Sequence, residues 1–238
     1  LETTHSLRRF LEVYLSDVFI LEWSQAHLRA IELLEDSVLQ NRRFCLSMPR
    51  GSGKSSLCGA VLLWAFCTGH SPYSVSIGAT AKSAKQRIAN IKSTLRFNQL
   101  LLDDYPEVIA PIRFTGGESR RATGQKANGQ ATDIAWGQDQ IRSADLQTTF
   151  PWMETEGLNT RYGCIIETAS IDGEIRGKAI EMSDGTIQRP TFVVADDIQT
   201  RESAKNPDTV LHRESIVKGD VMFLGGPGKQ IGIAVPIT

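Results

Sequence analysis

The stretch "LSMPRGSGKSS" (46–56) decides how the rest of the chain is read. A short apolar, strand-like run (42–48) leads into it. An apolar helical run (53–69) leads out, with Gly69 as its stop. A glycine-bearing turn between a strand and a helix is suited to hold phosphate. Gly51 and Gly53 let backbone N–H groups turn inward around an anion, and the helix start adds partial positive charge. The candidate nucleotide-binding residues are therefore Pro49, Arg50, Gly51, Ser52, Gly53, Lys54, Ser55 and Ser56. Lys54 is expected to reach the β- and γ-phosphates, and the Ser55 hydroxyl to take a position on magnesium. Met48 stands where the pattern usually has its first glycine. That departure tilts away from the standard kinase and GTPase forms.

A phosphate loop of this kind needs a carboxylate at the end of a neighbouring buried strand. "TFVVADD" (191–197) supplies it, with an apolar run before Asp196 and Asp197. Asp196 is expected to hold the metal through Ser55 and water, and Asp197 to orient an attacking water. Taken alone, the same residues would read as a strand end with two solvated acids. Paired with the loop, they form a two-part site.

The surrounding pattern fits an α/β chain. Phe10, Leu11, Tyr14, Leu15 and Val18 recur at helical spacing, as do Leu28, Ile31, Leu34 and Val38. Strands are expected at 73–80, around 131–144, at 163–170, 191–197 and 230–238. Residues 81–97 form a basic amphipathic helix, a loop is expected over 115–128, and a last helix at about 207–224. Several strands are apolar on both faces, which places them centrally in a sheet covered by helices on each side. The 238 residues carry a net charge of -1, so any nucleic acid must be held by a local basic patch. Cys45, Cys58, Cys67 and Cys164 show no metal-ligand spacing. Cys45 and Cys58 sit in apolar runs and are expected to be buried, reduced thiols. No apolar run reaches the length of a membrane span, and no signal peptide is read at the start.

With these residues in view, the chain resembles the ATPase domain of the large terminase subunit of tailed bacteriophages, the motor that pumps DNA into a procapsid. "PRGSGKS", "VVADD" and a final strand ending "VPIT" carry the resemblance, which covers about 25–238. It implies a P-loop NTPase fold of the RecA/ASCE kind, with a central, mostly parallel β-sheet flanked by helices. It divides the chain into an N-terminal helical segment (1–40) and an ATPase core (41–238). ATP and magnesium are the implied cofactors. Gln25 matches the adenine-reading glutamine, and Arg50 the phosphate-loop arginine that senses the γ-phosphate. Thr80 ends the strand after the loop. Arg176, in "IDGEIRG", matches an arginine finger acting across a subunit boundary, and Thr238 the motif that couples hydrolysis to movement. The family usually has glutamate where Asp197 stands, so Glu167 is a reserve candidate for activating water.

The resemblance further implies double-stranded DNA, a portal protein and a small terminase subunit as partners. It implies a homo-oligomeric ring in the motor, an isolated monomer, and a place in the host cytoplasm and at the procapsid portal. DNA would be gripped through phosphates without sequence readout. The candidate surfaces are Lys82, Lys85, Arg87 and Lys92 on one helix, and Arg113, Arg120, Arg121 and Lys126 in the loop. The family's nuclease domain has no counterpart here, so no DNA cleavage is expected, and the chain, lacking an initial Met, is expected to be part of a longer one. The alternatives are a helicase-like DNA-remodelling ATPase and a nucleotide-binding regulatory module with little turnover. A small-molecule kinase lacks support, because no lid-like arginine cluster is present.

Overall fold

The computed structural model describes residues 2–127, 130–145, 163–182, 184–200 and 202–237. In chain order its elements are α1 (Glu2–His5), α2 (Leu7–Tyr14), α3 (Gln25–Leu39), β1 (Arg43–Ser47), α4 (Lys54–Thr68), β2 (Tyr73–Gly78), α5 (Ala81–Phe97), α6 (Gln99–Asp104), α7 (Pro106–Phe114) and α8 (Ser119–Ala122). Then come β3 (Lys126–Ala127), β4 (Gln130–Ala131), β5 (Ala135–Trp136), β6 (Gln140–Arg142), β7 (Ile165–Ser170), β8 (Ile180–Glu181), β9 (Ile187–Gln188), β10 (Phe192–Asp196), α9 (Pro207–Gly219) and β11 (Gly232–Ile237).

Seven strands make one sheet in the order β1-β11-β10-β2-β7-β6-β5. The five from β1 to β7 are parallel, and β6 and β5 add antiparallel at one side. β3–β4 and β8–β9 form small separate hairpins. The architecture is thus α/β with a mostly parallel central sheet flanked by helices, consistent with a P-loop-like fold.

β2 and β10 are buried along their whole length; β10 is apolar on both faces up to Asp196, whereas β2 carries serines on one of its faces. Alternation sends Phe192 and Val194 into one core with Phe10, Leu34, Trp64 and Leu95, and Val193 and Ala195 into the other with Tyr73, Val75 and Val221. The first core lies under α2, α3, α4 and α5. α4 is apolar nearly all round and buried on most sides, with Trp64 at 0% exposure. Gly53 and Gly69 bound it, both in the left-handed region at φ 76. The N-terminal helices share this core with α4, so the helical segment from α2 to α3 packs on the sheet domain through buried contacts.

Several expectations need correction. Cys45 is exposed, because β1 ends the sheet and pairs only with β11. Its residues Arg43, Cys45 and Ser47 all face outward. The opening helix stops at Tyr14, short of Val18, which is 52% exposed. Asn98 Nδ2 donates to the Tyr14 carbonyl at 2.6 Å, satisfying a helix-end acceptor from outside. The stretch read as a loop contains α8 and the first strand of the β3–β4 hairpin, with Thr115 and Ala122 buried. The helices α6 and α7 were not expected at all.

Candidate functional site

The C-terminal ends of the parallel strands lie along one edge of the sheet, where ligands of open α/β folds usually bind. β10 and β2 end together, with Asp196 opposite Gly78. β1 leads into the glycine loop at that edge. Gly51 and Gly53 adopt φ 78 and 76, so the loop needs glycine for backbone angle, and a Cβ would meet nothing within 4 Å at either position. Met48, at the departed glycine position, is buried in the helix-side core, and its N–H donates to the Ile237 carbonyl at 3.0 Å.

The loop is braced by a residue that the sequence did not flag. His27, on the first turn of α3, has Nε2 at 2.8 Å from the Ser52 carbonyl and Nδ1 at 2.8 Å from Ser24 Oγ. A carbonyl only accepts, so Nε2 carries the proton. This contact holds the start of α3 against the loop and brings Gln25, exposed on the same turn, to that side of the molecule. Arg50 and Pro49 are exposed on the loop.

Lys54 opens α4 and is only 7% exposed, and lysine is seldom so buried without a partner. Its Nζ lies 3.9 Å from Asp197 Oδ2. Asp197 has φ 48, a left-handed angle that aspartate tolerates better than most residues, and its N–H donates to the Pro236 carbonyl at 3.1 Å. The end of β11 therefore bonds to both sides of the site, at Met48 and Asp197. Thr238, the expected coupling residue, lies outside the described residues.

Asp196 is 4% exposed. Its Oδ2 accepts from Arg87 Nη2 at 2.5 Å, while Oδ1 has no hydrogen-bond partner among the described residues. Ser52 Oγ, in the loop, is also buried without one. Burial and the nearby Asp196 charge push the Cys58 thiol upward, so it stays protonated. A cavity of about 510 Å³ brings Ser55, Ser56, Thr80, Arg87, Asp196 and Asp197 together. Thr80 also caps α5, in a reciprocal capping box with Ser83.

Other expected residues fall elsewhere. Arg87 does not belong to a basic surface: it points inward to Asp196. Arg113 donates to the Asn98 carbonyl at 2.6 Å and to Gln99 Oε1 at 3.0 Å, so it braces α6 and α7. Arg120, Arg121 and Lys126 are exposed, with Arg121 3.3 Å from Glu118. Lys82, Lys85, Lys92 and Arg96 line a groove of about 750 Å³ with Trp136. There Lys92 sits 4.5 Å from the Trp136 ring centre, and Lys85 pairs with Asp139 at 3.0 Å.

Glu167 is in the middle of β7, not at its end. Its carboxylate accepts from Tyr73 Oη and Lys178 Nζ. It stands three residues short of Ser170, roughly 10 Å from the strand end. Arg176 is 82% exposed at its side chain and pairs with Asp220 at 2.7 Å. It lines a polar cavity with Glu167 and Lys178, apart from the glycine loop. The loop that carries it is nonetheless tied to the acid strand. Arg213, buried on α9, makes a fork to Asp172 at 2.5 and 3.1 Å and donates to the Ile198 carbonyl at 2.6 Å.

A scan of protein-family models and a search of curated proteins give no match for this chain. Among the described residues, no helix is long and apolar enough to cross a membrane. Nor do three or more His, Cys, Asp or Glu side chains gather to hold a metal by themselves. A divalent ion at this site would have to share its ligands with a bound phosphate, as magnesium commonly does. The residues fit such an ion: Asp196 Oδ1 is buried and unpartnered among the described residues, and Ser55 lines the same cavity.

Proposed function

We propose that this chain is an ATP-hydrolysing motor domain of the terminase large-subunit type, with a RecA/ASCE-like P-loop core, which moves double-stranded DNA into a procapsid. The observation that carries the reading is the convergence of two distant sequence motifs. Lys54 of the glycine loop and Asp197 of the acid strand meet at 3.9 Å, beside Asp196 with its unpartnered oxygen. The fold supplies the parallel edge on which such a site is built.

In this reading the loop N–H groups and Lys54 would bind the β- and γ-phosphates, and Ser55 and Asp196 would hold magnesium. The ion neutralises phosphate charge when bound. Asp197 orients the water for in-line attack. Arg50, exposed on the loop, stabilises charge on the γ-phosphate, and Gln25 pairs with adenine through its amide. Arg176 completes a neighbour's site in a homo-oligomeric ring, so an isolated monomer hydrolyses slowly. The partners in this reading are duplex DNA, a portal protein and a small terminase subunit, in the host cytoplasm and at the portal vertex.

A second reading has one observation in its favour. Asp197 is a methylene shorter than the family's glutamate and already faces Lys54, which suits a nucleotide-binding regulatory module with little turnover. Magnesium-dependent phosphate release by the wild-type chain, Lys54→Ala and Asp196→Asn, over a range of protein concentrations, separates the two. The motor reading expects activity rising faster than concentration and lost in both variants. Nucleotide binding without release under any condition, DNA included, would favour the module, and absent nucleotide binding would end both.

A further inference from the structure

Position 87 breaks the pattern of its own helix. Its α5 neighbours on the inward side, Ala84, Ile88, Ile91 and Leu95, are buried and apolar, yet Arg87 is itself only 9% exposed. The strand it faces makes room for it. On β2, Val75 and Ile77 fill the far core, while the opposite side carries Ser74 and Ser76, both buried. Arg87 Nη1 donates to Ser76 Oγ at 2.6 Å, and Nη2 donates to Asp196 Oδ2 at 2.5 Å. One planar guanidinium thus spans from the sheet floor to the carboxylate. A lysine could not hold both ends in this way.

The consequence lies in how Asp196 divides its oxygens. Oδ2 is committed to Arg87. Oδ1 is buried, unpartnered among the described residues, and belongs to a side chain at the wall of the cavity that also contains Ser55. A carboxylate fixed in this way presents one oxygen in one direction. We propose that Arg87, anchored by Ser76, is a positioning residue that aims Asp196 Oδ1 at the magnesium ion of a bound nucleotide. This rests on the ATP-binding reading above. Partners that orient a metal-holding side chain typically change metal affinity 10- to 100-fold when removed. A buried ion pair serving only the fold would instead change stability and leave the metal requirement alone.

The test measures binding of a fluorescent, non-hydrolysable ATP analogue to the full chain as magnesium is titrated, with bound Mn²⁺ followed by EPR. Arg87→Lys keeps the charge and loses the fork. Ser76→Ala keeps the pair and loses the anchor, and it covers the case in which a bulkier change fails to fold. In Arg87→Lys the magnesium concentration for half-maximal tightening should rise about 10-fold or more, with a smaller rise in Ser76→Ala. Affinity for the analogue without metal should stay within about twofold, since Arg87 is not assigned to the phosphates. An unchanged or lowered metal requirement in both variants, with analogue binding intact, overturns the role of Arg87 alone. If the wild-type chain does not bind the analogue, the ATP reading falls and this role with it.

Discussion

Lys54 and Asp197 are 3.9 Å apart, and β11, which lies between β1 and β10, bonds to the residue that follows each of those strands. β11 accepts from Met48 at Ile237 and from Asp197 at Pro236. A shift of β11 along the sheet would therefore move the loop and the acid together.

Under the motor reading, Asp197 tests the chemistry directly. Asp197→Asn keeps a residue type at home at φ 48 and removes only the charge. Nucleotide binding should persist while phosphate release falls about 100-fold or more, the usual scale for losing a positioned base. Asp197→Glu adds reach but places a poorer residue in the left-handed region, at a cost of about 1 kcal/mol in stability. Phosphate release beside thermal unfolding checks both. Full turnover in Asp197→Asn would show that another group handles the water.

What the sequence revealed and what it hid follow from the range of each interaction. The glycine loop, Lys54 and the acid pair were legible because strand, turn and helix are local patterns. So were the two-faced strands, whose burial needs no partner to be named. His27 and Arg87 were not legible, because their meaning comes from atoms far away in sequence: Arg87 reaches Asp196 across 109 positions. On a helix read as basic and amphipathic, one inward arginine looks like one more surface charge. Cys45 misled for a related reason, since an apolar run does not say whether its strand lies at the centre or the edge. Glu167 sat in a correctly placed strand, but its partners Tyr73 and Lys178 were not foreseen.

Under the motor reading, Arg176 separates catalysis in an assembly from stability in a single chain. Its pairing with Asp220 is largely exposed on the arginine side. Arg176→Ala should therefore change unfolding free energy by no more than about 1 kcal/mol. In the assembled motor, the same change should lower hydrolysis about a thousandfold or more while nucleotide still binds. Retained activity in the assembly would remove the finger assignment and leave Arg176 as a surface residue.

The basic groove along α5 and the exposed arginines near α8 are rival DNA tracks under the motor reading. Among the described residues, four cations line the groove and no carboxylate does, although Asp139 offsets Lys85 nearby. Each lost phosphate contact should lower the slope of log affinity against log salt by about 0.9. Lys82→Ala with Lys85→Ala is expected to flatten that slope by nearly 2, more than Arg120→Ala with Arg121→Ala. Duplex binding measured by anisotropy at several salt concentrations decides between them. The opposite ranking would move the track to α8.

Gly232 locks the first core to the sheet. It opens β11, and a Cβ there would lie 1.8 Å from the Ser37 carbonyl oxygen of α3 and 3.2 Å from the Phe192 ring. The obstacle at Ser37 is helix backbone and cannot swing away, so Gly232→Ala must push α3 off the strand. Overpacking of this kind costs about 3 kcal/mol at the upper end of its usual range, or about 6 °C or more in Tm for a chain of this size. Gly219→Ala is the matched control. It sits at the end of α9, with nothing within 4 Å of an added Cβ and no positive φ. That change should leave stability unchanged or raise it by up to about 1 kcal/mol, because alanine is the better helix former. Since α3 carries Gln25 and His27 at its other end, the displaced helix in Gly232→Ala should, under the ATP-binding reading, also weaken nucleotide binding. Thermal melts with and without the ATP analogue read both effects. Equal Tm values for the two glycine variants would mean that α3 does not pack as closely on β11 as the structure has it.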